Sequence, residues 1–269
     1  MKIVSPYRKV MAILNVTPDS FFATSRAESE EVVRTRVAQM VAEGADIIDI
    51  GGYSTRPGAA DVPTEEEVRR VLSGVEIARE VAPTMMLSID TFRSEVAEAV
   101  LSKWDNIIIN DVTAGERDVR MAEVVAHWDA PMVIMHSRGT PQTMQSLTHD
   151  DDVVEEVRDY LARRADALVA KGVREIITDP GIGFAKDDNQ NFALIAGLER
   201  IASLGYAVLA GISRKSFIYK SLGITPEEAL VPTSALHWAC LEGGAAILRV
   251  HDTAPARQII KLYEQTKCL

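Results

Sequence analysis

The chain has 269 residues, enough to bury a sizeable core, and α/β barrels of this length are commonly one domain. Hydrophobic residues make up 47% and charged residues 25%, which excludes a disordered, collagen-like or fibrous chain. Its 29 Lys and Arg stand against 39 Asp and Glu, a net charge of −10, so nucleic acid and membrane surfaces are not expected partners. A small anion held in a local basic pocket is compatible with that balance. Cys240 and Cys268 are too few for a disulfide framework or a thiolate metal site. The apolar run Val10–Leu14 is too short for a secretory segment, and no stretch has the length of a membrane span, so a cytoplasmic protein is expected.

Eight short apolar runs follow one another: Val10–Leu14, Asp46–Ile50, Met85–Ile89, Asn106–Ile109, Pro131–Met135, Glu175–Thr178, Ala207–Gly211 and Ala245–Val250. They are β-branched and apolar on both faces, as buried parallel strands are. Helix-period segments lie between them. Ser29 is expected to begin one carrying Val33, Val37 and Met40. Thr64 with Glu67 reads as a capping box for a helix with Val68, Val71 and Val75, and Asp151 or Asp152 as the cap of another with Val154, Val157 and Leu161. Gly44, Gly172, Gly205 and Gly243-Gly244 precede runs two, six, seven and eight, where glycine ends a helix before the next strand. The runs recur about every 34 residues, close to one βα unit. No linker or composition break divides residues 1–269. The expected fold is a single-domain (β/α)8 TIM barrel. The rival, a doubly wound open sheet, lacks its G-x-G-x-x-G turn after the first run.

Every run ends in polar groups. These are Asn15; Gly51 to Gly58 with Thr55, Arg56 and Pro57; Asp90-Thr91; Asn110-Asp111; His136-Ser137-Arg138; Asp179-Pro180-Gly181; Ser213-Arg214-Lys215; and Arg249 with His251-Asp252. In a parallel barrel these ends share one rim, while the opposite ends are expected to carry few such groups. Asp, Asn and Ser after a strand also cap helices, so any one of Asp90, Asn110 or Asp179 has that plainer reading. Capping does not call for Lys215, Arg249 or His251. Arg56, Lys215, Arg249 and His251 are expected to form a basic quadrant suited to phosphate, three of them after the last two runs. Asp90, Asn110 and Asp179 are expected to form an acidic and amide quadrant suited to the N–H edge of a nitrogen heterocycle.

Other signals are weaker. His136, His251 and Asp179 lack metal-site spacing, and Ser213 lacks a nucleophile-elbow sequence. His127, His149 and His237 read as packing or surface residues, and Met85-Met86 and the tryptophans as core.

With these residues in hand, the chain resembles the dihydropteroate synthase family over nearly its whole length. The matching segments are Ile13 to Phe21 (ILNVTPDSF), Asp49 to Gly58 (DIGGYSTRPG), Ser88 to Thr91 (SIDT) and Asn110 to Val112 (NDV). They continue with Met135 to Pro141 (MHSRGTP), Asp179 to Phe184 (DPGIGF), Gly211 to Phe217 (GISRKSF) and Arg249 to Asp252 (RVHD). The resemblance implies a (β/α)8 barrel, a homodimer, and a Mg²⁺-assisted transferase of folate biosynthesis. Such an enzyme condenses 7,8-dihydropterin-6-ylmethyl diphosphate with p-aminobenzoate and releases diphosphate. It implies Asp90, Asn110, Asp179, Lys215 and Arg249 at the pterin, with Asp90, Asp179, Lys215 and Arg249 catalytic. It implies Asn15, Arg249 and His251 at the diphosphate, Asn15 also reaching Mg²⁺. It implies Thr55, Arg56, Pro57, Phe184, Lys215 and Ser216 at p-aminobenzoate.

Four places depart from the family pattern. Tyr53 stands for Glu, Phe22-Ala23-Thr24 for Ser-Asp-Gly, Ser137 for Met and Ala185 for Gly. Two alternatives share the pterin pocket: a corrinoid-dependent methyltransferase, and a pterin-binding protein without turnover.

Overall fold

The computed structural model describes residues 8–17, 26–53, 62–137 and 152–267. Eight parallel strands close into a barrel in sequence order, β8 pairing back onto β1. They are β1 (Lys9–Asn15), β2 (Ile47–Gly51), β3 (Met86–Asp90), β4 (Ile107–Asp111), β5 (Met132–Met135), β6 (Ile176–Asp179), β7 (Ala207–Ala210) and β8 (Ala245–Val250). The helices are α1 (Arg26–Ala42), α2 (Thr64–Val81), α3 (Ser94–Leu101), α4 (Met121–His127), α5 (Val153–Ala170), α6 (Asp188–Ala196), α7 (Leu198–Ala202), α8 (Ser216–Leu222), α9 (Leu230–Glu242) and α10 (Thr253–Lys267). The expected barrel and its strands are thus observed, the boundaries moving by a residue or two. No helix among the described residues is long and apolar enough to cross a membrane.

The side-chain period of two sorts each strand into an inner and an outer set. Met11, Ile47, Met86, Ile108, Val133, Ile177, Leu209 and Ile247 face inward and plug the barrel. Their neighbours, such as Ala12, Ile48, Leu87 and Ile109, face outward against Val37, Val71, Val96 and Leu161 of the helices. The same parity carries on toward the C-terminal rim. It turns Asn15, Asp49, Asp90, Asn110, Asp179 and Arg249 inward, above the apolar plug.

Several local expectations need correction. The helix read from Ser29 starts at Arg26. Thr64 caps nothing: the N-cap is Pro63 with no side-chain bond. Glu67 is instead fully buried and accepts from Thr91 Oγ1 and Arg93, each at 2.7 Å, so tertiary contacts outbid the local box. Asp152 does cap α5, accepting from the Glu155 N–H at 3.1 Å. A full capping box appears at α6, between Asp187 and Gln190. Trp128 is 38% exposed rather than core, its indole N–H donating to Glu98 at 3.1 Å. Gly44, Gly172, Gly205 and Gly244 have positive φ, as expected past helix ends, whereas Gly243 does not. Cys240 is buried, while Cys268 and His149 lie outside the described residues.

Candidate active site

At the centre of the rim, Arg249 on β8 spans two carboxylates. Its Nε donates to Asp49 Oδ2 at 2.7 Å and its Nη2 to Asp90 Oδ2 at 2.6 Å. Asn110 donates its amide N–H to Asp49 Oδ2 at 3.2 Å. Asp49 is completely buried and anchors Arg249 and Asn110, while Asp90 joins the cluster through Arg249. Burial works against the Arg249 charge, but Asp49 and Asp90 hold its pKa above the ordinary value. Burial pushes the Asp90 carboxyl up to about 7 against the pull of Arg249. Gly51, between β1 and β3, keeps this floor open: a Cβ there would stand 3.5 Å from Asn15 Oδ1 and 3.9 Å from Asp90 Oδ2.

Asp179 and Lys215 stand on the β6–β7 side. Asp179 accepts the Gly181 N–H at 2.7 Å, and burial raises its pKa against the opposing pull of Lys215. Lys215 donates to the Ile182 carbonyl, with its Nζ 4.4 Å from the centre of the Phe184 ring. Burial lowers its pKa to about 8. The close approach explains Gly183, at φ +84: a Cβ there would lie 2.6 Å from Lys215 Cδ. Ser216, exposed, opens α8 beside Lys215. His251 is fixed by Ser213, whose Oγ lies 3.2 Å from Nδ1 and accepts the His251 backbone N–H at 3.1 Å.

The expected separation into a basic and an acidic quadrant does not hold. Arg249 sits among the carboxylates, because a buried Asp49 requires a cation. Arg56, Thr55, Pro57, Arg138 and Phe22 lie outside the described residues. The helix-capping reading fails for Asp90 and Asn110, which bond to the rim cluster, for Asp179, which takes the N–H of the turn residue Gly181, and equally for the turn-holding Asp111. Its carboxylate takes the Thr113 and Gly115 N–H groups at 2.7 and 2.9 Å. The opposite end of the barrel is less bare than expected. A cavity of about 870 Å³ opens there between Trp104, Trp128, Asp129 and Arg174, where Met86, Ile107 and Ile176 begin their strands. The rim is the better candidate because the buried ionisable groups converge there.

Sequence reasoning missed Asp49 as a site residue. The signal was present: an aspartate inside the run Ile47–Ile50, at the inward parity, has no place in an apolar core without a partner. Tyr53, at the position of the family's Glu, packs edge-on against Phe92 at 5.3 Å and under Arg93 at 5.3 Å. Ala185 adopts φ +51, a left-handed conformation that the family's Gly holds without strain.

A pterin-binding enzyme family model matches residues 11–251. The dihydropteroate synthase of Synechocystis sp. is 41% identical over 256 residues, covering 94% of this chain and 88% of that one. The Xanthomonas albilineans dihydropteroate synthase structure with 4-aminobenzoic acid has a TM-score of 0.88 and 38% identity, covering 98% of this chain and 94% of its own. The same enzyme in complex with 7,8-dihydropteroate gives a TM-score of 0.87 at 35% identity, covering 100% and 96%. The barrel, the inward-facing rim cluster and these likenesses lead to one assignment: the chain belongs to the pterin-binding enzyme family.

Proposed function

We propose that the chain works as a dihydropteroate synthase through its β-strand rim, with Asp90, Asn110 and Asp179 taking the pterin and Asn15, Arg249 and His251 the diphosphate. The observation that carries this reading is the Arg249 fork held between Asp49 and Asp90, which puts a fixed cation beside carboxylates at the mouth of the barrel. The names of the relatives favour the synthase over the corrinoid-dependent methyltransferase and the non-catalytic binder.

In the reaction the bond between the methylene carbon and the diphosphate oxygen breaks, and the electron pair leaves with diphosphate. In this reading Arg249 and the His251 ring receive that departing charge. Ser213 Oγ takes the His251 backbone N–H and can give its own proton to Nδ1, which leaves the ring proton on Nε2 for a phosphate oxygen. The methylene then carries positive charge that spreads into the electron-rich ring. Asp90 and Asp179 favour that charge electrostatically. The arylamine nitrogen attacks the carbon and afterwards loses a proton. An aniline nitrogen is already nucleophilic, so a dissociative displacement needs no strong base. Phe184 and Lys215 offer a ring face and a cation to the arylcarboxylate, with Ser216 and the loop residues Thr55, Arg56 and Pro57 completing that half.

Asn15 suits Mg²⁺. It presents a neutral oxygen across Gly51 from Asp90 Oδ2, and Mg²⁺ typically takes one or two protein oxygens while leaning on substrate phosphates. When bound, Mg²⁺ would neutralise phosphate charge. A cytoplasmic homodimer is part of the same reading, and sedimentation at two concentrations tests the dimer. The deciding experiment for the function mixes protein, dihydropterin diphosphate, p-aminobenzoate and Mg²⁺ and follows diphosphate. Stoichiometric release with 7,8-dihydropteroate formation supports the reading, and tight pterin binding without release overturns it.

A further inference from the structure

We propose that Lys186 is a positioning residue for the arylamine half of the site, its buried ammonium holding the loop after β6 in the shape that presents Phe184 and receives Lys215. The proposal rests on the assignment of Phe184 and Lys215 to the arylamine. Lys186 is only 5% exposed, and a buried ammonium is tolerated only where its protons are accepted. It lies 2.9 Å from the Phe184 carbonyl, 3.0 Å from the Gly181 carbonyl, 2.9 Å from His136 Nδ1 and 3.5 Å from the His136 carbonyl.

The loop is shaped to supply those acceptors. Gly181, Gly183 and Ala185 all have positive φ, at 66°, 84° and 51°. This alternation curls the backbone so that the carbonyls of residues 181 and 184 converge on one point. The carbonyl of Ile182 turns away, and Lys215 takes it from outside. Two lysines therefore grip one short loop from opposite sides. The inner grip sets where the outer lysine and the Phe184 ring come to rest.

The grip is tied to the end of the preceding strand, β5, through His136. An ammonium has no lone pair, so His136 Nδ1 must be the acceptor and the ring proton sits on Nε2, 3.2 Å from Glu156 Oε1. A neutral imidazole thus links a cation at the end of β6 to a carboxylate on α5, and Tyr160 packs edge-on against it at 4.9 Å. Among the described residues, the hydrogen bonds of Lys186 run to His136, Gly181 and Phe184 and to no group on β2, β3, β4 or β8, so they do not include the Arg249 cluster.

The test is steady-state kinetics on Lys186→Met with each substrate varied in turn. The KM for p-aminobenzoate should rise about tenfold, as for loss of a charge-assisted bond, while the KM for the dihydropterin diphosphate stays within about twofold. General loosening would lower kcat through a smaller active fraction and leave both KM values alone, and that result overturns the proposal. So does an equal rise in both. If Lys186→Met does not fold, His136→Phe removes one acceptor and should raise the p-aminobenzoate KM about threefold. An unchanged value there overturns the proposal too. Failure of the wild-type protein to release diphosphate would instead count against the proposed function.

Discussion

The two sides of the rim solve the burial of charge differently. On the β2–β4 and β8 side, Asp49, Asp90, Asn110 and Arg249 bond to one another, and the cluster is complete without a ligand. On the β6–β7 side, Asp179 and Lys215 each turn to backbone, one taking the Gly181 N–H and the other giving to the Ile182 carbonyl. The two charges feel each other through space but do not pair. The first side is built as part of the barrel. The second keeps charges at the disposal of whatever enters. Substitutions on the first should therefore cost stability as well as function, and on the second mainly binding and rate.

The largest effect should come from Asp49→Ala. It takes from Arg249 one of its two carboxylates and from Asn110 its acceptor, and breaking a buried pair from one side costs about 3 kcal/mol, the lower end because Asp90 still pairs with the guanidinium. Urea unfolding should show that loss, and a stability close to wild type would break the comparison. Asp179→Asn should do the reverse. The folded protein should keep its stability, since the carboxyl there is raised by burial. Pterin affinity by calorimetry should weaken by about 1.5–3 kcal/mol through loss of a charge-assisted bond.

The third test is pH. The ordinary lysine value of 10.5 falls to about 8 at Lys215, and Asp90 rises to about 7. If both must be charged, kcat/KM should fall below about pH 7 and again above about pH 8, the basic limb moving up in Lys215→Arg. Stability carries the opposite sign on that limb. Between about pH 8 and 10.5 the unfolded chain holds the proton that folded Lys215 has lost, so Lys215 makes stability rise with pH. A flat rate profile from pH 6 to 9 would show that neither group titrates in the working enzyme.

The smallest effect belongs to Ala185. At φ +51 its Cβ strains the β6 loop, and Ala185→Gly should stabilise by about 0.5–1 kcal/mol after the entropy of the freer unfolded chain is deducted. Thermal unfolding measures it. No gain would mean that the loop has already relaxed around the alanine.

The barrel was legible because eight apolar runs, each closed by polar residues, require parallel strands with one shared functional end. Asn15, Asp90, Asn110, Asp179, Lys215, Arg249 and His251 could be picked out for the same reason. Their partners could not. Nothing next to Glu67 reveals that it bonds Thr91 and Arg93 instead of closing a capping box with Thr64, since those contacts form only when α2 packs on the barrel. Nothing in the sequence sets Lys186 apart from any charge after a glycine-rich turn. Only the folded loop shows that its backbone carbonyls converge on it. The quadrant picture failed because it sorted charges by sign along the chain, whereas burial sorts them by who can neutralise whom.

The alternation of inner and outer side chains also limits how such a protein can change over generations. Asp49, Asn110, Asp179 and Arg249 each stand two residues beyond an inward apolar residue of their own strand: Ile47, Ile108, Ile177 and Ile247. Inserting or deleting one residue between them would swing the functional group into the helix layer and an aliphatic one into the mouth. A lineage can exchange residues in these strands one at a time, but it cannot alter their length. Variation in length is confined to the connections, and among the described residues the departures at Tyr53, Ser137 and Ala185 fall there too.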